Sequence, residues 1–307
     1  MRVLYMRLFP LAAIFLGLLI RPIDPAAQAP VAPILDLSTG GLVAAAARYV
    51  AEYQEQLTSV VADETYSQEI RAQVPEQRGA PRSRSMRSEM FFMFAPFEHQ
   101  WMAIRDVAEV DGVEIPDRTD LRASLQTLPA THVAANFKRT NSRYNIGRIT
   151  RNFNEPTLAL VVLGGDHRAR FKFERKSAAK ADDVTLATIE FVEKSSPTLI
   201  RDLRYRSVYS KGSFILEAGT GRVRRAVLKV QIDALKVELT TDYAPDPKLG
   251  MWVPSVFRER YEQGEEPRRT DDRRDVSTLD LRREYEHVLC EARYSNYRRF
   301  ETEVRIK

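Results

Sequence analysis

The residues best suited to chemistry in this sequence are four histidines and one cysteine, and they form no local catalytic or metal-binding motif. The histidines are His99, His132, His167 and His287. None falls in an HExxH, HxH or mixed cysteine–histidine pattern, and the G-x-S-x-G and glycine-rich phosphate motifs are also missing. Cys290 has the same strand parity as Val288 and Ala292, which predicts a small core residue. We therefore expect no enzyme, cofactor or metal ion, while a hydrolase assembled from distant residues stays open.

A cluster of aromatic and methionine side chains is the feature that indicates a ligand. It occupies two expected strands, MFFMFAPF over 90–97 and WMAIRDVAEV over 101–110. The first strand is apolar at both parities, so protein or ligand should cover both of its faces. The cluster is either a plain sheet core or the lining of an apolar cavity. An acyl chain would bind in such a cavity because binding removes its apolar surface from water. In the second interpretation the ligand-binding residues are Phe91, Phe92, Phe94, Trp101 and Met102.

Helical patterns lie before and after this cluster. Residues 42–57 carry apolar side chains at helical spacing, with Thr39 as the expected N-cap. A helical insert is expected over about 117–163, where Asp117 caps the first helix and TLALVVL forms the last. A glycine pair at 164–165 should end that last helix.

The remainder of the chain is mostly β. In RAVLKVQI and KVELTTDY apolar and polar residues alternate, which is typical of strands with one buried face. We expect about nine antiparallel strands, with the C-terminal segment LCEARYSNYRRFETEVRI closing the sheet. The predicted fold class is α+β, a long curved antiparallel sheet or half-barrel wrapped around a few helices.

The N-terminus predicts export. Residues 1–29 combine a basic start, the apolar run LFPLAAIFLGLLI and an A-x-A ending at Ala29, as secretory signal peptides do. The run is too short to span a bilayer comfortably. Pro30 is unfavourable directly after a cleavage site, so the cleavage point and retention as an anchor stay open. Residues 30–39 form a proline-rich spacer and 40–307 a single domain, which we expect in the periplasm or outside the cell.

Composition and charge narrow the function classes. The 307 residues are 44% hydrophobic with a net charge of +5, and the mean hydropathy of -0.37 excludes a multi-span membrane protein. Acidic residues are interleaved with the basic ones, as in RERYEQGEEPRRTDDRRD, so a nucleic-acid partner is not expected. One cysteine cannot form an intramolecular disulfide, and an ordinary core must therefore hold the exported domain together.

Several stretches resemble the outer-membrane lipoprotein carrier superfamily. GSFILEAGTGRVRRAVLKV, LGMWVPSVFRERY and YSNYRRF occur in the expected order. The chain is also similar to uncharacterised secreted bacterial proteins that share WxxxRDVxEVDG, PTLALxxL and YSNYRRF. The resemblance covers most of 40–307 and implies a half-barrel closed over helices around a hydrophobic cavity. A lipid or a lipoprotein acyl group is the implied ligand; the helical insert has no counterpart, and no individual binding residue is transferred.

Two function classes follow. The first is an exported, non-enzymatic carrier or sensor that binds a lipid or an acylated protein under the sheet. The second is an interaction module that binds another envelope protein through a sheet edge or the basic loop over 71–87. An exposed apolar patch or an unpaired strand edge would favour the second class, and an apolar cavity the first.

Overall fold

The computed structural model describes part of the chain, namely residues 35–71, 82–95, 100–149, 151, 155–181, 183–202, 204–264 and 285–300. The predicted signal peptide and the start of the spacer lie outside these residues, as do most of the basic loop and the last seven residues of the chain. Within the described ranges, no helix combines the length and the apolar character needed to cross a bilayer.

In the described residues eleven strands, more than the nine or so expected, form one antiparallel sheet that curves without closing into a barrel, and two further short strands form a separate pair. In chain order, the strands are β1 (Val60–Ile70), β2 (Ser83–Ala95), β3 (Gln100–Val110), β4 (Val113–Glu114), β5 (Phe171–Ala181), β6 (Val184–Glu193), β7 (Ile200–Arg201), β8 (Ser207–Val208), β9 (Ser210–Glu217), β10 (Val223–Ile232), β11 (Leu235–Asp246), β12 (Met251–Gln263) and β13 (Glu286–Arg299). The order in the large sheet is β4-β3-β2-β1-β13-β12-β11-β10-β9-β6-β5. The predicted fold class is confirmed.

The C-terminal segment was expected to close the sheet, but in the structure it forms an interior strand. β13 pairs with β1 on one side and with β12 on the other, so it lies in the middle of the sheet. The two edges are the two-residue strand β4 and the eleven-residue strand β5. The first and last strands of the described domain therefore pair with each other inside the sheet.

The helices lie close to their expected positions but start at different caps. They are α1 (Thr39–Leu57), α2 (Leu121–Thr127), α3 (Ala130–Asn141), α4 (Gly165–Arg168) and two 3-10 helices, Ser142–Tyr144 and Leu158–Leu163. Ser38, not Thr39, caps α1 by accepting from the amide of Gly41 at 3.0 Å. Asp120, not Asp117, caps α2. The 3-10 helix over 158–163 takes the place of the predicted last helix, and Gly164 after it has an ordinary negative φ of -64°.

The sheet has two faces with different covers. We call the face packed against α1 and the 3-10 helix over 158–163 the inner face; it holds the main apolar core. The opposite, outer face is covered by α2 and α3 where β1, β2 and β3 present Val61, Phe91 and Ile104. α1 and the 3-10 helix over 158–163 therefore pack on the inner face, while α2 and α3 pack on the outer face.

Candidate functional site

The five residues predicted to bind a ligand are divided between the two faces. Phe94 lies opposite Trp101, and both share the inner face with Phe92. Phe91 and Met102 point to the outer face, because successive side chains of a strand alternate. Phe91 lies within the core formed with α2 and α3. The structure thus brings three of the five together, and their role in ligand binding stays a prediction.

Phe92, Phe94 and Trp101 belong to a group of rings beneath α1, here called the aromatic site. The Trp101 indole lies 5.4 Å from the Phe94 ring and 5.9 Å from the ring of Tyr53 on α1, between centroids. Phe92 packs edge-on against Tyr294 of β13, 5.8 Å away. The members of the aromatic site are Tyr53, Phe92, Phe94, Trp101, Tyr243, Tyr294 and Tyr297. Rings from α1 and four strands thus form one apolar surface.

Three polar atoms of the aromatic site have no hydrogen-bond partner in the described part of the chain. They are the hydroxyls of Tyr53 and Tyr294 and the indole Nε1 of Trp101, on side chains only 1%, 8% and 0% exposed. Leaving a buried donor unpaired costs about 1–3 kcal/mol. The Tyr297 hydroxyl, in contrast, donates to the carbonyl oxygen of Pro254. Unpaired donors among apolar rings suit a ligand that carries acceptor oxygens on an apolar body.

A buried ion pair borders the aromatic site. Arg105 donates to the Glu64 carboxylate from Nε at 2.6 Å and from Nη2 at 2.9 Å, and neither side chain is more than 4% exposed. Its guanidinium also lies 4.0 Å above the centroid of the Tyr66 ring. Burial raises the pKa of Tyr294, and the neighbouring Glu64 carboxylate raises it further. Tyr294 therefore remains a protonated donor at the border between rings and charges.

A second buried carboxylate lies farther along the inner face. Glu259 accepts from the Tyr66 hydroxyl at 2.9 Å and from the Tyr261 hydroxyl. Burial raises the pKa of Glu259 above its usual 4.5, although the two tyrosines and Arg105 oppose the shift. Burial also raises the pKa of Cys290 to about 12, so its thiol stays protonated at neutral pH. This buried, neutral thiol fits a core residue better than a nucleophile.

Glu259→Gln is expected to change how stability depends on pH. Because burial raises the folded-state pKa above 4.5, the wild type loses stability as the pH rises from about 4.5 through that pKa. Glutamine stays neutral and can accept from one tyrosine while donating to the other, so the variant lacks this decline. Urea denaturation of both proteins from about pH 4.5 to 8 measures the difference. Parallel stability curves would show that the Glu259 carboxylate is not desolvated.

The segment after α3 is held over the inner face by buried polar contacts. Arg151, only 2% exposed, donates to the carbonyl oxygen of Ile146 at 2.7 Å and to the Gln68 amide oxygen. Gln68 in turn donates from Nε2 to the carbonyl oxygen of Tyr144 at 3.1 Å. These contacts fix the chain as it passes from the outer-face helices to the inner face.

The buried charges were not predicted from the sequence. Glu64, Arg105 and Glu259 each occupy an inward position of an alternating strand; Glu64, for example, follows Ala62 and precedes Tyr66 at the same parity. A charge at a position reserved for apolar residues is the signal that could have found them. In the described ranges, no group of three or more His, Cys, Asp or Glu side chains is arranged to hold a metal ion.

Comparison with solved structures gives relatives of the fold. The chain is similar in structure to outer membrane lipoprotein-sorting proteins. A domain assigned to that group from Vibrio parahaemolyticus has a TM-score of 0.37 and 10% identity, covering 84% of this chain and 93% of its own. A DUF1329 family protein from Desulfovibrio piger has a TM-score of 0.36 and 13% identity, with 84% and 92% covered. A LolA superfamily protein from Nitrosomonas europaea has a TM-score of 0.32 and 12% identity, with 83% and 94% covered.

These matches confirm the predicted resemblance as a structural likeness only. No protein-family model and no curated protein sequence matches the chain. With identities of 10% to 13% and TM-scores of at most 0.37, the likeness does not bear on which ligand is bound. The residues of the inner face are therefore the basis for a functional proposal.

Proposed function

We propose that this protein, exported through its N-terminal segment, binds a lipid or an acylated protein in the aromatic site and acts as a carrier or sensor without catalysing a reaction. The observation that carries the proposal is the set of unpaired donors on Tyr53, Trp101 and Tyr294. An ester- or amide-linked acyl chain offers carbonyl acceptors at one end and methylenes along the rest. The rings would dry those methylenes, which favours binding by about 25 cal/mol per Å² of apolar surface.

α1 is the element that such a ligand would displace. Phe92 and Trp101 are fully buried beneath it, so in this structure side chains of α1 fill the place of the expected apolar cavity and the site is closed. α1 has no acidic residue in its first turn and no basic residue in its last turn, so it lacks the charges that stabilise helix ends. A helix of this length owes most of its stability to packing. An acyl chain could therefore replace the contacts of α1 with the inner face.

The alternative, an envelope interaction module, is less well supported by the edges of the sheet. β4 is two residues long. Lys172, Lys176 and Lys180 lie along β5, and lysines on an edge strand discourage pairing with another chain. Neither described edge offers a long apolar strand to a partner, so we retain lipid binding as the proposed function.

Native mass spectrometry with lipid extraction tests the proposal. The full chain is expressed in a bacterial host and purified from the periplasm, and we expect stoichiometric lipid on the wild type. Trp101→Phe and Tyr53→Phe each remove one donor and keep a ring. Losing a hydrogen bond of about 1.5 kcal/mol lowers lipid retention about tenfold. Without ligand these variants should be at least as stable as the wild type, because an unpaired buried donor is gone.

Tyr297→Phe is the matched control, since it makes the same change where the hydroxyl already donates to Pro254. It should lower stability and leave the amount of bound lipid unchanged. Wild-type protein that is repeatedly lipid-free and takes up no added lipid would overturn the proposal. So would Trp101→Phe and Tyr53→Phe variants that gain stability yet bind as much lipid as the wild type, because the donors would then serve no ligand.

A further inference from the structure

A row of lysines crosses the outer face of the sheet where β6 and β10 end. Lys172 on β5 lies opposite Val192 on β6, and Val192 lies opposite Lys211 on β9. Lys211 in turn lies directly opposite Lys229 on β10. Like charges directly opposite each other in a sheet are destabilising. The pairing of Lys211 with Lys229 therefore does not stabilise the sheet and instead suits an anionic partner.

Lys211 and Lys229 line a groove of about 550 Å³, here called the basic groove, whose cationic side chains are Lys211, Lys229, Lys236 and Arg260. Two of the four are neutralised within the groove. Lys229 pairs with Glu238 at 2.7 Å, and Arg260 pairs with Glu262. Lys211 and Lys236 have no ion-pair partner among the described residues. The basic groove therefore presents positive charge that this part of the chain does not neutralise.

Exposed apolar side chains flank the basic groove. Tyr209 and Val192 line it and are 53% and 38% exposed. Tyr205 is 81% exposed in the turn between β7 and β8, and its neighbour Arg206 pairs with Asp233 of the β10–β11 turn at 3.2 Å. The three side chains thus lie at one end of the sheet. Tyrosines beside cations are typical of surfaces that meet the headgroup layer of a membrane.

We propose that this end of the outer face docks on a bilayer that contains anionic phospholipids. The lysines of the basic groove would bind the phosphates, while Tyr205 and Tyr209 would enter the headgroup layer. An acidic polypeptide seated in the groove would satisfy the lysines but leave Tyr205 in water. A bilayer surface can contact the groove lysines and the flanking tyrosines at the same time, so the observations favour a bilayer over an acidic polypeptide. This docking surface lies on the face opposite the aromatic site and shares no residue with it.

Vesicle sedimentation with the full chain tests the docking surface. We expect binding to vesicles of phosphatidylcholine with phosphatidylglycerol, little binding to phosphatidylcholine alone, and release at high salt. The combined change Lys211→Gln, Lys229→Gln and Lys236→Gln should weaken partitioning about a hundredfold. Tyr205→Ser with Tyr209→Ser should weaken it as well, although net charge is unchanged. Binding that is equal on the two kinds of vesicle, or absent from both, would overturn the proposal.

A charge-matched control uses three exposed cations away from the groove, Arg139→Gln, Lys180→Gln and Lys248→Gln. This control should sediment like the wild type. An equal loss in the control would show that net charge acts without a defined surface, and would reject the proposal. Capture of polyglutamate through the three groove lysines, with the two tyrosines irrelevant to sedimentation, would instead assign the groove to an acidic polypeptide.

Discussion

Arg105→Met is expected to lower the free energy of unfolding by about 3 to 5 kcal/mol. The substitution keeps the aliphatic stem but removes both hydrogen bonds to Glu64, at 2.6 and 2.9 Å. The Glu64 side chain is fully buried, so its charge would remain in the core without a partner. The stacking of the guanidinium over Tyr66 is also lost. Urea denaturation of the wild type and the variant at neutral pH measures the change.

Two further variants show whether burial of the ion pair causes the stability loss expected for Arg105→Met. Glu64→Leu combined with Arg105→Met removes both charges, and we expect it to recover most of the lost stability, because apolar residues can replace a buried ion pair at little cost. Arg71→Met makes the same change at an exposed pair with Glu69, where the side chains are 57% and 52% exposed. Exposed pairs contribute little, so Arg71→Met should leave stability almost unchanged. Similar losses at Arg105 and Arg71 would contradict the description of a desolvated pair.

The sequence was enough to predict which side chains of a strand face the core, because apolar and polar residues alternate along a strand with one buried face. The alternation in RAVLKVQI placed Ala226, Leu228 and Val230 on one side, and all three are buried in the core. The apolar stretch around Phe92 was expected to be covered on both faces, and α1 covers one while α2 and α3 cover the other. These features depend on the periodicity of a few neighbouring residues.

Strand order could not be predicted, because it depends on contacts between distant parts of the chain. β1 pairs with β13, joining Val60 to Arg299. No local pattern in either strand specifies that partner, so the position of the C-terminal strand between β1 and β12 could not be predicted. The choice of cap at α2 failed for a smaller reason: Asp117 and Asp120 can both accept from backbone amides, and Asp117 instead adopts a positive φ of 53°.

The candidate site was partly predictable for the same reason. Phe92, Phe94 and Trp101 stood out because large aromatic residues are clustered in the sequence. Glu64 and Arg105 did not, since each alone is typical of the solvated face of a strand. Their partnership spans 41 positions, and that of Tyr66 with Glu259 spans 193. Parity alone assigns these charges to inward positions, but only the folded sheet shows which partner each of them meets.

Gly221→Ala is expected to lower the free energy of unfolding by about 3 kcal/mol. Gly221 has a φ of +72°, which disfavours any residue with a Cβ. A Cβ there would also overlap the carbonyl group of Ala45 and lie 2.6 Å from the amide nitrogen of Ala46. These atoms belong to the backbone of α1, which cannot move aside without lifting off the inner face. Urea denaturation measures the loss, and hydrogen exchange should show faster exchange along α1.

Gly250→Ala separates the two causes of the stability loss expected at Gly221, which are the positive φ and the overlap with the backbone of α1. Gly250 has a similar φ of +66°, but a Cβ there would meet nothing within 4 Å. It should therefore show only the conformational cost, about 1 to 2 kcal/mol, with no change in exchange along α1. The excess at Gly221 reports the contact that seats α1 over the aromatic site. If α1 is the cover that a ligand displaces, Gly221→Ala should also speed lipid uptake; equal effects of the two substitutions would show that this contact does not hold α1 in place.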